Sequence, residues 1–275
     1  MPQRDDEGNG DQKVAGSTMS NDAIKIEHRG RVTLMTIQRP EVMNALDDAA
    51  QRSLSSAFDD FARDDDQWVA ILTGTGQAFC SGHDLRSDPK GLSGLPEAGF
   101  GGLTARFGLD KPVLAAVNGF AVGGGFELVL ACDIVVAAPD AVFGLPEVTV
   151  GVAALGGGIL RLTRLAGHQQ AMGMLLTGRR VRAAEGLAMG FVTEIVDDGD
   201  VVAAAMRWAD CLNKASPMAV RATKAVARDH AGHDLVAAMA LQWEHPAIGR
   251  LLSSEDAREG PAAFREKRLP RWTGR

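Results

Sequence analysis

Apolar residues in this chain come in short runs, and the spacing within the runs changes along the sequence. Ile24 and Ile26 alternate with polar neighbours, and Val32 to Ile37 is a second strand-like run. Arg29-Gly30 sits between them, so this start predicts a hairpin, ended by Arg39-Pro40. The period then becomes helical. Leu54, Ala57, Phe58 and Phe61 follow the i, i+3, i+4, i+7 pattern behind Asp47, a side chain suited to capping a helix start. Asp59, Asp60 and Asp64 to Asp66 fall on or beyond the outer face. Trp68 to Thr73 predicts a buried strand, broken by Gly74-Thr75-Gly76, and Ala78 to Leu85 reads as a turn-like block. From Arg86 to Gly108 the chain is rich in Gly, Pro and Ser without a clear period, which predicts a mobile loop beside a pocket with a short helix near its end.

The middle of the chain is the most strongly punctuated. Lys111-Pro112 and Asn118-Gly119 bracket a buried strand, Val113 to Val117. Gly123 to Gly125 open an apolar helical run, Phe126 to Ala131, and Cys132 to Ala138 is again strand-like. Phe143-Gly144 leads to Pro146-Glu147 and a second glycine cluster, Gly156 to Gly158. Beyond it the helical period dominates. Ile159 to Leu165 and Ala171 to Leu176 bracket Gly167, and Val181 to Gly190 reads as a helix closed by its glycine. Phe191 to Val196 is a short strand, and Val201 to Lys214 and Met218 to Arg228 are helices, the second led by Ser216-Pro217. Pattern alone predicts an α/β fold with a loose recurrence of strand, strand, helix. Residues 1–21 hold few large apolar groups to offset the entropy of ordering, which predicts a disordered tail.

Composition narrows the classes. At 275 residues the chain is long enough for a full core, and 45% hydrophobic with 23% charged residues is ordinary for a globular protein. A formal charge of -6 argues against a general nucleic-acid or membrane-surface binder. Cys80, Cys132 and Cys211 are widely spaced, which fits reduced thiols rather than a disulfide framework. No apolar run approaches the roughly 18 residues of a membrane span, and the start M-P-Q-R-D-D-E lacks a signal-peptide core. The expectation is a cytoplasmic protein.

The candidate chemistry lies around the glycines. Three glycines before a helix allow close backbone approach and leave its first N–H groups open, where negative charge is favoured. Glu127 sits in that first turn, and Glu147 follows 20 residues later at another element end. A donor-rich corner with two carboxylates suits chemistry that builds charge on an oxygen while protons move. Each glutamate alone has a plainer reading, as a dipole-complementing carboxylate and as a turn residue. Cys80 and Ser81 beside His83 suggest a hydrolase nucleophile, but sequence neighbours rarely align as nucleophile and base. The glycines do not spell the dinucleotide pattern G-x-G-x-x-G. His83 has no metal-ligand partner at useful spacing; His230 and His233 read as surface, and Met172, Met174 and Met189 as packing.

The block A-A-V-N-G-x-A-x-G-G-G-x-E-L, Ala115 to Leu128, resembles the crotonase (enoyl-CoA hydratase/isomerase) superfamily. With S-G-H-D at Ser81 to Asp84 and the C-terminal S-E-D-A-R-E-G-P-A-A-F-R-E-K-R, the resemblance covers about residues 24–270. It implies a crotonase-like spiral of ββα turns over residues 22–208 and a C-terminal helical trimerisation region over 209–275. It also implies an enoyl-CoA hydratase, adding water syn to a trans-2-enoyl-CoA. On the matched positions, Glu127 activates water, Glu147 moves the α-proton, and the amides of His83 and Gly124 hold the enolate oxygen. Ser81, His83, Asp84 and Gly124 contact the CoA thioester, and Phe264 and Lys267 reach CoA from a neighbouring subunit. From Arg258 to Arg275 there are 6 basic and 2 acidic residues, a local charge of +4 suited to a phosphate. The implied partners are an acyl-CoA thioester and further copies of the chain, as a homotrimer or dimer of trimers. No nucleic acid, membrane, metal or redox cofactor is implied, coenzyme A being part of the substrate. An enoyl-CoA isomerase, another acyl-CoA lyase and a non-catalytic acyl-CoA-binding paralogue are the alternatives. The chain departs from the family after Glu147: A-A-L-G-G-G-I-L-R-L replaces the common I-P-G-A-G-G-T-Q-R-L. His83 stands where a small residue is usual.

Overall fold

The computed structural model describes residues 20–21, 23–86 and 95–275. Its first half runs β1 (Ser20–Asn21), β2 (Ile24–Arg29), β3 (Val32–Ile37), α1 (Asp48–Arg63), β4 (Val69–Gly74), β5 (Ala78–Cys80), β6 (Val113–Val117), β7 (Phe120–Val122), α2 (Gly124–Ala131), β8 (Ile134–Ala137) and β9 (Val142–Gly144). The second half runs α3 (Gly158–Leu165), α4 (His168–Thr177), β10 (Arg180–Arg182), α5 (Ala183–Met189), β11 (Glu194–Ile195), α6 (Val201–Asn213), α7 (Pro217–Asp229), α8 (Leu235–Leu241), α9 (Pro246–Ser253) and α10 (Glu255–Glu266).

The hairpin forms with Arg29 opposite Val32, and Asp47 caps α1 by accepting from the Ala50 amide. Ser216 caps α7 in the same way, through the Ala219 amide. From β4 to β9, successive strands alternate between two sheets, after which β10 joins the second and β11 the first. β4, β6, β8 and β11 lie parallel in one sheet, ordered β1-β2-β3-β4-β6-β8-β11; β5, β7 and β9 lie parallel in another, ordered β10-β9-β7-β5. Each turn of chain thus gives a strand to each sheet before a helix closes it, which is the spiral of ββα turns. The central strands β4 and β6 of the first sheet are buried on both faces and read as continuous apolar runs.

Several elements depart from the sequence reading. β5, β7 and β9 have three residues each, too few to show a period, and they build the second sheet. Val181 and Arg182 belong to β10, where they pair with Phe143 and Val142; the helix starts only at Ala183, though Gly190 closes it at φ 88°. The strand expected over Phe191 to Val196 is reduced to Glu194–Ile195. The expected loop over 86–108 falls partly outside the described residues. The short helix expected near its end is present as a buried 3-10 turn, Phe100, Gly101 and Gly102, packed against α1. Ser20–Asn21, within the expected tail, pair with β2.

Two features position the site. Phe126 of α2, Phe143 of β9 and Phe191 form an aromatic cluster with ring centroids 5.0 to 5.4 Å apart, fixing α2 on the second sheet. Gly125 lets α2 approach β5 closely, since a Cβ there would collide with the Cys80 carbonyl. The buried ammonium of Lys111 donates to the carbonyls of Phe61 and Asp64 (2.7 and 2.6 Å), tying β6 to the C-terminal end of α1. α6 runs unbroken through position 208 and packs on β4 and β6, whereas Ala222, Ala225 and Ala247 of α7 and α9 form a small apolar cluster of their own.

Candidate active site

The second sheet delivers two chain segments to one place. β5 ends in the turn Ser81-Gly82-His83, and β7 ends at Gly123, whose φ of 59° is left-handed and begins α2. Gly82 also has a left-handed φ of 99°, and a Cβ there would lie 3.1 Å from the Gly124 nitrogen. Only glycine meets both conditions, so the two segments touch. The His83 turn is held by its neighbours rather than by itself: Leu46 donates to the Gly82 carbonyl and Asp84 to the Leu46 carbonyl. The amides of His83 and Gly124 donate to no acceptor among the described residues. They are two N–H groups on touching segments, one at a helix start.

Glu127 is buried one turn into α2, at 5% exposure. Its Oε1 accepts from the Gly158 amide at 2.9 Å, and the Gly156 amide bonds its carboxylate as well. Glycine leaves room for its carboxylate. A Cβ on Gly156 would run into Oε2, and one on Gly158 would lie 3.0 Å from Oε1. Burial raises the Glu127 pKa above its ordinary value, and the two amides and the nearby Arg161 offset only part of that rise. Arg161 supports this cradle directly, donating to the carbonyls of Gly156 (3.3 Å) and Thr104 (2.8 Å).

Glu147 opens a 3-10 turn after β9, over Glu147–Val150. Its Oε1 lies 3.5 Å from where a Cβ on Gly123 would be, and the Ser81 carbonyl is 3.9 Å from that same point. Its Oε2 is buried with no hydrogen-bond partner among the described residues. Burial, reinforced by the charge of Glu127, pushes its pKa up to about 7. A carboxylic acid titrating there exchanges protons readily near neutrality.

The other expected residues are placed differently. Asp84 is buried and braced, with Arg39 at 3.5 Å and Arg86 at 3.4 Å. Ser81 donates its amide to Met43 and its hydroxyl to Val42. Phe264 is 85% exposed on α10, which packs on α7 and α9, and Lys267 is the left-handed cap of that helix. Neither bonds the glutamates. Cys80 accepts from the Gly82 amide at 3.4 Å, and burial pushes its thiol up to about 12, so it is no nucleophile.

Some neighbours escaped the sequence reading. Gln51, fully buried in α1, faces the His83 Nδ1 at 3.2 Å and accepts from the Gly101 amide at 3.4 Å. Phe100 packs against Gly124, where a Cβ would lie 2.8 Å from its ring. Each comes from an element distant in sequence, and only Gln51's place on the apolar face of α1 hinted at it. A cavity of about 790 Å³ lies between the end of α2, α3 and α7, lined by Arg161 and Lys224 but by neither glutamate.

Comparison with known proteins places this geometry. The model of the enoyl-CoA hydratase/isomerase family matches residues 27–275. The chain belongs to that family. It is 39% identical over 267 residues to the carnitinyl-CoA dehydratase of Salmonella typhi, covering 93% of this chain and all of that one. Among solved structures, an enoyl-CoA hydratase from Mycobacterium marinum superposes with a TM-score of 0.87 at 39% identity, over 93% of this chain and 100% of that one. A carnitinyl-CoA hydratase from Mycobacterium avium superposes with a TM-score of 0.73 at 40% identity and the same coverage. The fold of this family member is therefore the crotonase spiral. No helix among its described residues is long and apolar enough to cross a membrane.

Proposed function

We propose that the protein is a hydro-lyase that adds water to, or removes it from, the C2–C3 bond of a coenzyme A thioester. The observation that carries this reading is the pairing of an anchored glutamate with an unsatisfied one. Glu127 is held by the Gly158 amide, and Glu147 keeps one buried oxygen unpartnered, near enough to feel the charge of Glu127.

In the hydration direction, Glu127 takes a proton from a bound water as its oxygen adds to C3. The electron pair of the double bond moves onto the thioester oxygen, which the His83 and Gly124 amides receive. Removing one such donor typically costs about 3 kcal/mol of transition-state stabilisation. Glu147 gives its proton to C2 and the carbonyl re-forms. With both groups on one side of the double bond, addition is syn. Dehydration runs the same steps backwards. Every proton and charge is handled by carboxylates and main-chain amides, so the reaction so written needs no metal or redox cofactor.

The test is loss of the conjugated enoyl-thioester absorbance with crotonyl-CoA, on wild type, Glu127→Gln and Glu147→Gln. Turnover that collapses in both variants supports the hydro-lyase. Migration of the double bond without water addition, surviving Glu127→Gln, replaces it with an isomerase. Binding of CoA esters without turnover of any of them leaves a non-catalytic paralogue. The exposed Phe264 and the nearby Lys267 fit a role at the CoA of a neighbouring copy in a trimer or dimer of trimers. A monomer by light scattering at micromolar concentration removes that role.

A further inference from the structure

His83 brings a side chain as well as an amide to the thioester site, and its ring is oriented by a residue that takes no part in the reaction. Gln51 is fully buried, a polar residue among the apolar ones on the inner face of α1. Its Oε1 accepts from the Gly101 amide at 3.4 Å, which turns its NH2 group towards His83 Nδ1, 3.2 Å away. An amide NH2 only donates. Nδ1 therefore accepts, and the ring proton sits on Nε2. That Nε2 is buried and has no hydrogen-bond partner among the described residues. A buried donor without an acceptor costs stability, and an oxygen on a bound molecule would relieve it.

The packing ties this donor to the reacting end of the substrate. Gly82, beside His83, meets the Gly124 nitrogen, and Phe100, beside Gly101, packs against Gly124. His83, Gln51 and the Phe100-Gly101 turn thus form one wall next to the His83 and Gly124 amides. An imidazole reaches at most about 6–7 Å from its own backbone nitrogen, so Nε2 stays close to a thioester held on that amide. The thioester oxygen is already served, with one amide for each of its two lone pairs. In the hydration written above, C2 faces Glu147 and C3 faces Glu127. C4 is the first acyl carbon that neither glutamate serves.

We propose that Gln51 positions His83 as a specificity residue whose Nε2–H binds a hydroxyl or carbonyl oxygen on C4 of the acyl group, so that the preferred substrates are short acyl-CoAs oxygenated at that carbon. The inference rests on the hydro-lyase reading and deepens it. It is particular to this chain, in which His83 stands where a small residue is usual.

Binding tests this without turnover. Calorimetry on the full chain gives the affinities of 4-oxopentanoyl-CoA and of its apolar isostere 4-methylpentanoyl-CoA, for wild type, His83→Phe and Gln51→Leu. A site built to donate to an oxygen rejects the analogue that lacks it, so wild type should bind the ketone at least about tenfold tighter. His83→Phe keeps the amide and a planar ring but not the donor, and should abolish that preference. Gln51→Leu should weaken it. A long-range proton–nitrogen correlation spectrum should show the His83 proton on Nε2 in wild type and spread over both ring nitrogens in Gln51→Leu, which separates positioning from packing. Equal binding of the two esters by wild type, a preference unchanged in His83→Phe, or a wild-type ring protonated on Nδ1 overturns the proposal. Hydration of 4-methylpent-2-enoyl-CoA is followed in parallel. Selection between the esters without any hydration keeps His83 as the selector and sinks the hydro-lyase; hydration without selection does the reverse.

Discussion

The first turn of α2 and the 3-10 turn after β9 each carry one glutamate, and they treat it in opposite ways. Around Glu127 the backbone closes in, with the Gly158 amide on one carboxylate oxygen, glycine where any side chain would intrude, and Arg161 behind. Around Glu147 the chain leaves an oxygen buried and unpartnered. The first arrangement holds a group in one place and offsets part of the cost of burying its charge. The second holds the charge at a cost and so leaves a proton easy to give and take. Water must be aimed and a carbon acid must be protonated, and these two tasks call for those two settings.

The sharpest way to break that contrast is to neutralise each glutamate and watch different protons. Glu147→Gln should lower kcat for hydration by about 10³-fold, within the range expected of a general acid. It should also abolish exchange of deuterium from solvent into C2 of a saturated acyl-CoA, followed by NMR. Glu127→Gln should lower hydration by about 10²- to 10³-fold yet retain measurable C2 exchange. Equal loss of exchange in both variants would show that the two carboxylates share the α-proton, and the division of labour fails.

A smaller effect comes from moving Glu127 rather than neutralising it. Gly156 has ordinary backbone angles, so Gly156→Ala intrudes only through its Cβ, against Glu127 Oε2. Misplacing a catalytic group by about 1 Å can cost roughly 10²-fold; kcat should fall by about 30- to 100-fold with little change in unfolding midpoint. Gly173→Ala, on α4 with only a 3.7 Å neighbour, is the control and should be silent. Wild-type kcat in Gly156→Ala would show that the cradle is packing and not aim.

Much of this contrast was legible in the sequence, and the illegible parts have a common cause. Strand β6, the caps Asp47 and Ser216, and the start of α2 are local, because breakers and capping side chains act within a few residues. Glu127 and Glu147 could be picked out because both stand at element ends beside glycines. The wiring was not local. Gly158 reaches Glu127 across 31 residues, and Gln51 reaches His83 across 32. The second sheet stayed hidden because β5, β7 and β9 are too short to show alternation. The stretch Ala153 to Leu162 was noticed as a departure from family pattern, but that Gly158 donates to Glu127 follows only from the fold.

Next in size is the pH profile. Glu147 protonates C2 in hydration, so its acid form is required, and its pKa lies at about 7. The kcat for hydration should fall about tenfold per pH unit above pH 7, whereas dehydration, which needs the carboxylate, should rise to a plateau there. Mirror-image limbs measured with one enzyme preparation in both directions check the assignment. The same limb in both directions would assign the titration to another group.

The smallest effect is on stability, and there the two glutamates should differ in sign. In the unfolded chain Glu147 ionises near its ordinary value of 4.5, but in the folded protein it keeps its proton to about 7. Between those values the folded state binds more protons, so stability falls as pH rises, and by pH 8 the cost of the buried charge is fully present. A full shift of this size, discounted for the half-buried setting, amounts to on the order of 1–3 kcal/mol. Glu147→Gln removes that cost and should be more stable than wild type by that amount at pH 8, with the difference shrinking towards pH 5. Glu127→Gln sets an amide donor against backbone donors from Gly156 and Gly158 and should lose about 1–3 kcal/mol. Guanidinium unfolding at the two pH values decides it. A Glu147→Gln variant no more stable than wild type at pH 8 would mean that the unpartnered oxygen is solvated after all, and that Glu147 is not strained for its task.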